Sequence, residues 1–218
     1  MSTAEPVFFL GDDALGVTLS SKHRRNALAQ YLQDSRQWRE VIPGANGLSV
    51  QYDPAFIAPE DALAALEKAL AAEIIPTNNA HETLVIPVCY HEDFALDMPH
   101  VSASIGLSSE EIIARHTAAR HHVDVIGFTP GFAYLEGGDE ALNVPRLNTP
   151  RTYLSAGSIG LAGGLCGLYA LPGPGGWPII GRSPMPLFDT AQKDPFRIQA
   201  GQSIQFTAIS KADFEDWR

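Results

Sequence analysis

The sequence predicts an α+β protein of two domains: a ferredoxin-like α/β domain over residues 1–86 and a β-barrel domain over residues 87–218. Three observations carry this expectation. Strand and helix signals in the first part follow the order strand, helix, two strands, helix, strand, with one extra strand in front. From about residue 87 onward only one convincing helix signal remains. After residue 123 the chain is rich in glycine and proline, and its short apolar runs are separated by irregular turns, as in a closed or nearly closed barrel.

Taken in order, Val7–Leu10 and Leu15–Leu19 read as short strands around the turn-forming Gly11-Asp12-Asp13. Residues 22–34 place Ala27, Leu28, Tyr31 and Leu32 on one helical face, with Ser21 as the cap. Val41–Pro43 and Leu48–Tyr52 flank Gly44-Ala45-Asn46-Gly47 as a hairpin. A second helix starts at Pro59, carries Glu60 and Asp61 at the positive end of its dipole, and lines up Leu63, Leu66 and Leu70. Thr83–Tyr90 is the strand expected to close this part. In the second part, Ser108 and Glu111 form a capping box ahead of Ile112 and Ile113. Gly167–Leu171 and Ser203–Ile209 are among the short apolar runs assigned to the barrel.

Composition narrows the function. At 218 residues, 45% hydrophobic and 18% charged, the chain fits a globular protein. Its net charge of −10 argues against nucleic acid and anionic membrane as partners, since both demand a basic face. Cys89 and Cys166 form no Cys-x-x-Cys motif or disulfide framework. Residues 1–20 carry no basic and apolar leader, and no apolar run approaches the roughly 18–20 residues that span a bilayer, so a cytoplasmic location is expected.

The most informative segment is Ile126-Gly-Phe-Thr-Pro-Gly-Phe-Ala-Tyr-Leu135. Pro130 and Gly131 exclude a helix or a central strand, so the run reads as a strand end entering a tight turn that presents Phe128, Phe132 and Tyr134. Arg146, Arg151 and Arg182 each lie in a stiff Pro- or Gly-flanked context. Pre-positioning lowers the entropy lost when a guanidinium grips a carboxylate or phosphate, so these three are the candidate ligands of a small anion. Tyr169 and Trp177, with the three aromatics of the turn, are candidates for the apolar walls. Arg24, Arg25, Arg36 and Arg39 read as surface charges.

Ser158, in Ala156-Gly-Ser-Ile-Gly160, invites comparison with a hydrolase nucleophile elbow, but three glycines in Leu161–Gly167 deny it the helix that an elbow needs. A structural or ligand-bonding serine is the better reading. The same glycines lack the Gly-Lys-[Ser/Thr] ending of a P-loop and read instead as barrel corners. Seven histidines form no recognised metal-ligand spacing. His116, one turn beyond Ile112, reads as a packed core histidine, while its place before the aromatic turn also makes it a candidate for the pocket edge. Catalytic residues stay unassigned.

These motifs together resemble one family, which comprises the B-type subunit of the prokaryotic ATP-dependent 5-oxoprolinase, allophanate hydrolase subunit 1 and a sporulation kinase inhibitor. The resemblance rests on Ile42–Asn46, Gly127–Leu135, Pro145–Arg151, Ala156–Gly160 and Pro174–Gly181. It implies a cyclophilin-like barrel in the second half. It also implies a hydrolase complex that couples ATP (with Mg) to amide opening, cleaving 5-oxoproline or an allophanate-like amide. The partners it implies are an A-type subunit and a C-type subunit similar to the second allophanate hydrolase domain. The other implied role is a non-catalytic regulator that binds and inhibits a sensor histidine kinase. The chain departs from the family pattern at Leu165 and Cys166, where a Gln-Thr pair is common, at Arg120, and at His91-Glu92-Asp93. All of these are expected near the pocket.

Overall fold

The computed structural model describes residues 5–74, 82–192 and 195–217. The chain divides into two compact units, Met1–Asn79 and Ala80–Arg218.

The first unit contains β1 (Val7–Phe9), β2 (Ala14–Thr18), α1 (Lys22–Ser35), β3 (Glu40–Gly44), β4 (Gly47–Gln51) and α2 (Pro59–Ala71). Its strands form an antiparallel sheet in the order β1-β2-β4-β3. Alternate residues point to one face, so Leu15 and Val17 of β2 and Leu48 and Val50 of β4 meet Leu28 and Leu32 of α1 and Leu66 of α2 in one core. Ser21 caps α1 by accepting the Arg24 N–H at 3.3 Å. Arg25 departs from the surface role expected of it. It is buried, and its guanidinium donates to the Gly44 and Ala45 carbonyls at 2.8 and 3.1 Å, satisfying the β3–β4 turn.

The strand expected to complete a ferredoxin-like sheet lies elsewhere. β5 (Leu84–Cys89) runs parallel to β13 (Ser203–Ile209) and beside β12 (Ile179–Arg182), within the second unit. The sequence of β5 explains this: Ile86, Pro87, Val88 and Cys89 are buried in succession, which suits a strand covered on both faces better than an alternating sheet strand.

The other strands of the second unit's barrel are β6 (Arg120–Ile126), β7 (Ala133–Glu136), β9 (Ser158–Ala162) and β10 (Leu165–Leu168). The barrel is closed and seven-stranded, in the order β10-β7-β6-β13-β5-β12-β9. β8 (Arg151–Leu154) and β11 (Gly173–Gly175) pair as a separate two-stranded ribbon. Ile86, Val88, Val123, Leu135, Ile159 and Ile204 fill the interior. Closure leaves the barrel strands no open edge.

Among the described residues three α-helices accompany the barrel rather than the one expected: α3 (Met98–Ile105), α4 (Ser109–Ala118) and α5 (Lys211–Glu215). The α4 capping box forms as the sequence implied, with Glu111 N–H on Ser108 Oγ at 3.2 Å and Ser108 N–H on Glu111 Oε2 at 2.8 Å. α3 has Pro99 in its first turn and stops at Gly106 (φ 70°), start and stop signals that sequence reasoning passed over.

Candidate functional site: an aromatic box with a guanidinium at its rim

Between β6 and β7 the chain makes the turn that the sequence singled out. The Thr129 N–H donates to the Gly127 carbonyl at 2.9 Å across Phe128, whose φ is 70°. This is a γ-turn of the strained, positive-φ kind, and a bulky side chain there is a conformational outlier. The Phe128 ring is 63% exposed, so burial of that ring does not compensate the strain. Two further bonds, Gly127 N–H to Phe132 O at 3.0 Å and Phe132 N–H to Thr129 O at 3.0 Å, lock the loop.

Phe132 is the hub of the site. Its ring stands edge-on to Phe128, Tyr134, Tyr169 and Trp177, with centroids 5.6, 4.7, 4.8 and 5.9 Å away. Such T-shaped contacts align ring edges with ring faces and stiffen the cluster. The five rings line a cavity of about 350 Å³, joined by Arg146, Leu147, Pro150, Pro174, Gly175 and Gly176. Gly175 is required by close approach, since a Cβ there would lie 2.4 Å from Tyr169 Oη and 2.5 Å from Leu154 Cδ1. Burial raises the Tyr169 pKa, offset in part by the Trp177 backbone N–H. Sequence reasoning found all five rings but not Leu147 or Pro150. Both lie in the Pro145–Arg151 segment, whose two prolines were the available signal.

The three arginines do not converge on the box, which only Arg146 lines. Arg146 lies at the rim of the box with its guanidinium carbon 5.8 Å from the Trp177 ring centroid, and it makes no ion pair among the described residues. Arg151 is gripped by Asp97 through two bonds, at 2.8 and 2.7 Å, and Asp97 also accepts the Ile179 N–H at 2.7 Å. Arg182 donates from Nε to the Ala156 carbonyl at 2.9 Å and lies 5.5 Å from the Phe214 ring centroid. Arg146 is therefore the guanidinium that the box retains. A carboxylate 54 positions away in sequence and a backbone carbonyl claim the other two.

Residues 7–198 match the family described as the carboxyltransferase domain, subdomain C and D. The chain is 31% identical to the B-type 5-oxoprolinase subunit of Bacillus subtilis, over 96% of this chain and 95% of that one. It is 37% identical to the B-type 5-oxoprolinase subunit of Haemophilus influenzae, over 83% and 84%. The chain belongs to this family. Among solved structures, that of TTHA0988 superposes with a TM-score of 0.79 at 28% identity, covering 90% of this chain and 40% of that one.

Other candidate residues take structural places. Ser158 is buried in β9 and donates its hydroxyl to the Ser155 carbonyl at 2.7 Å, away from the box lining. That geometry offers no nucleophile. The glycines after it make the β9–β10 hairpin, with Gly163 and Gly164 at φ 59° and 78°, so this segment is a corner and not a phosphate cradle. Among the described residues no group of three or more His, Cys, Asp or Glu side chains is arranged to hold a metal ion.

His116 lies in the barrel interior and not at the pocket edge. Its Nδ1 is 2.7 Å from Tyr90 Oη, its Nε2 is 3.4 Å from Cys166 Sγ, and its ring stacks on Phe206 with centroids 4.4 Å apart. Burial, and then the neighbouring His121, hold the His116 pKa well below the usual histidine value. Burial pushes the Tyr90 and Cys166 pKa values up, so this cluster is neutral. The family departures settle here or on the surface: Cys166 is part of this cluster, Arg120 is exposed, and Asp93 pairs with Lys211 and, at 3.3 Å, with His91. None of them lines the aromatic box, contrary to the sequence expectation.

Proposed function

We propose that this chain is the B-type component of a cytoplasmic, ATP-dependent amidohydrolase complex that opens 5-oxoproline, or a related cyclic or allophanate-like amide. In this reading an A-type subunit and a C-type subunit complete the enzyme, and ATP with Mg acts at the level of the complex, where phosphorylation of the amide oxygen makes a leaving group. The second unit is the cyclophilin-like half of the family, and the first is its ferredoxin-like half without the barrel's β5.

One observation carries the reading: an aromatic box of about 350 Å³ with one guanidinium at its rim, Arg146, that has no ionic partner among the described residues. The flat apolar body of a lactam suits the ring walls, and its carboxylate suits the planar donor fork of Arg146. The names of the Bacillus and Haemophilus relatives support the same substrate class. Ser158 is turned away from the cavity, and His116 and His121 are buried in the barrel, which supports a binding and positioning role with the bond-breaking groups supplied by partners. A kinase regulator needs a docking patch rather than a lined cavity, so the box favours the enzyme reading.

Co-expression with A- and C-type subunits, followed by an assay for ATP-dependent 5-oxoproline hydrolysis, tests the proposal. The complex is expected to turn over and this chain alone is expected not to. Robust turnover by the isolated chain through repeated purification would contradict it.

A further inference from the structure

Beside the aromatic box lies a second cavity, a groove of about 450 Å³ lined by Asp97, His100, Arg146, Asn148, Thr149 and Arg151 among others. Its chemistry is the opposite of the box. Two guanidiniums face one carboxylate, and that carboxylate is already spent on both terminal nitrogens of Arg151 and on the Ile179 N–H. A guanidinium carries five N–H donors, so Arg151 keeps its Nε–H and one N–H on each terminal nitrogen. The side chains of Arg146, Asn148 and Thr149 make no hydrogen bond among the described residues, and they add further donors. Pro145 and Pro150 bracket the segment and stiffen it. This donor-rich, cation-rich groove lies on a chain of net charge −10, where general attraction for anions is absent.

Arg146 and Leu147 line both cavities, so a ligand body in the box has its polar end at the mouth of the groove. A lone carboxylate would be served by Arg146. The further donors of Arg151, Thr149 and Asn148 match an anion with more acceptor oxygens and more charge. We propose that the groove formed by Arg146, Asn148, Thr149 and Arg151 is a phosphoryl-binding subsite contiguous with the aromatic box. The phosphoryl group can come from a nucleoside triphosphate or from a phosphorylated amide or carboxyl compound whose body occupies the box. Fixing Arg151 through Asp97, which is itself nearly buried, pre-orients those donors and lowers the entropy lost on binding.

The inference stands on the groove and not on the proposed reaction, so it is tested on the isolated full chain without any activity assay. Inorganic phosphate, Mg-ATP and acetyl phosphate are titrated separately, with binding followed by calorimetry and by backbone amide NMR shifts. Saturable binding is expected, with shifts concentrated at Leu147–Arg151. The Thr149→Glu and Asn148→Asp variants, at exposed loop positions, are expected to weaken it by about tenfold or more through charge repulsion. Phe128→Ala, in the box alone, is expected to leave phosphate affinity within about twofold, because the ring offers a phosphate no donor. Tighter binding of Mg-ATP than of acetyl phosphate assigns the phosphoryl group to a nucleotide, and the reverse order assigns it to a phosphorylated substrate. Binding of none of the three, shifts centred elsewhere, or wild-type affinity in both acidic variants would overturn the proposal. Failure of 5-oxoproline turnover in the complex would remove the proposed function and leave this result standing.

Discussion

The aromatic box and the sealed cluster around His116 are built from similar side chains within one unit, yet they differ in what they leave unpaired. In the cluster, His116 bonds Tyr90 and Cys166 and stacks on Phe206, and His121 donates to the His116 carbonyl at 3.4 Å, leaving only its Nδ1 without a partner. Neither the box nor the neighbouring groove is lined by any of these residues. In the box, edge-to-face rings hold one another apart around about 350 Å³ of space, and Arg146 at the rim has no ionic partner among the described residues. Polar groups that find partners inside the barrel serve stability, and a cation left unpaired beside an apolar cavity is available for a ligand.

The sharpest way to break this comparison is Phe132→Ala, because Phe132 joins the box to the packed residues Leu154, Tyr169 and Ile179. Loss of a fully buried phenyl ring is expected to cost about 3–5 kcal/mol, read from urea unfolding, and to abolish ligand binding as well. A loss below about 1 kcal/mol would show that the ring can be spared and the box is not a packed unit.

Acid distinguishes the two clusters next. Burial depresses the folded-state pKa of both His116 and His121 below the unfolded value of about 6.5. The unfolded chain then binds more protons than the folded one between those values. The contribution of these residues is whole above about pH 6.5 and is lost as pH falls toward the depressed pKa values, at up to about 1.4 kcal/mol per pH unit for each histidine. His116→Gln is expected to flatten that slope in unfolding experiments run from pH 7.5 downward. An unchanged slope would show that His116 is not the titrating group. No box residue is a histidine, so ligand affinity should fall no faster than the fold itself.

The smallest expected effect belongs to Phe128→Gly. Glycine relieves the strain at φ 70° but removes an exposed ring, so stability should stay within about 1 kcal/mol of wild type. Ligand affinity should drop nonetheless. A large stability loss would mean that the turn is held by the ring and not by its backbone bonds.

Local signals in the sequence were legible where the physics is local. The second helix begins at Pro59 as expected, the Ser108–Glu111 box caps α4, and β13 spans Ser203–Ile209. The tight turn was legible because Pro130 and Gly131 leave few backbone options, and with it Phe128, Phe132 and Tyr134; the strain at Phe128 was not. Pairing at long range was not legible. β5 joins β13 across more than a hundred residues, and nothing in Leu84–Cys89 names that partner. The same limit hid what else the arginines meet. Their stiff flanks were visible, but the Asp97 carboxylate that claims Arg151 and the Ala156 carbonyl that claims Arg182 are known only once the chain is folded. His116 illustrates the opposite outcome: its one-turn spacing from Ile112 pointed to the core, and the core is where it lies.

We propose that Arg146, alone of the three candidate arginines, holds the ligand's negative charge at the mouth of the aromatic box. Calorimetric titration of the assembled complex with 5-oxoproline, in the wild type and in Arg146→Ala, Arg146→Lys and Arg182→Ala variants, decides this. A roughly ten- to hundredfold loss of affinity is expected for Arg146→Ala, about the worth of a charge-assisted hydrogen bond. Partial recovery is expected with Arg146→Lys, which restores charge without the planar fork, and little change in affinity with Arg182→Ala. Wild-type affinity in Arg146→Ala would contradict it.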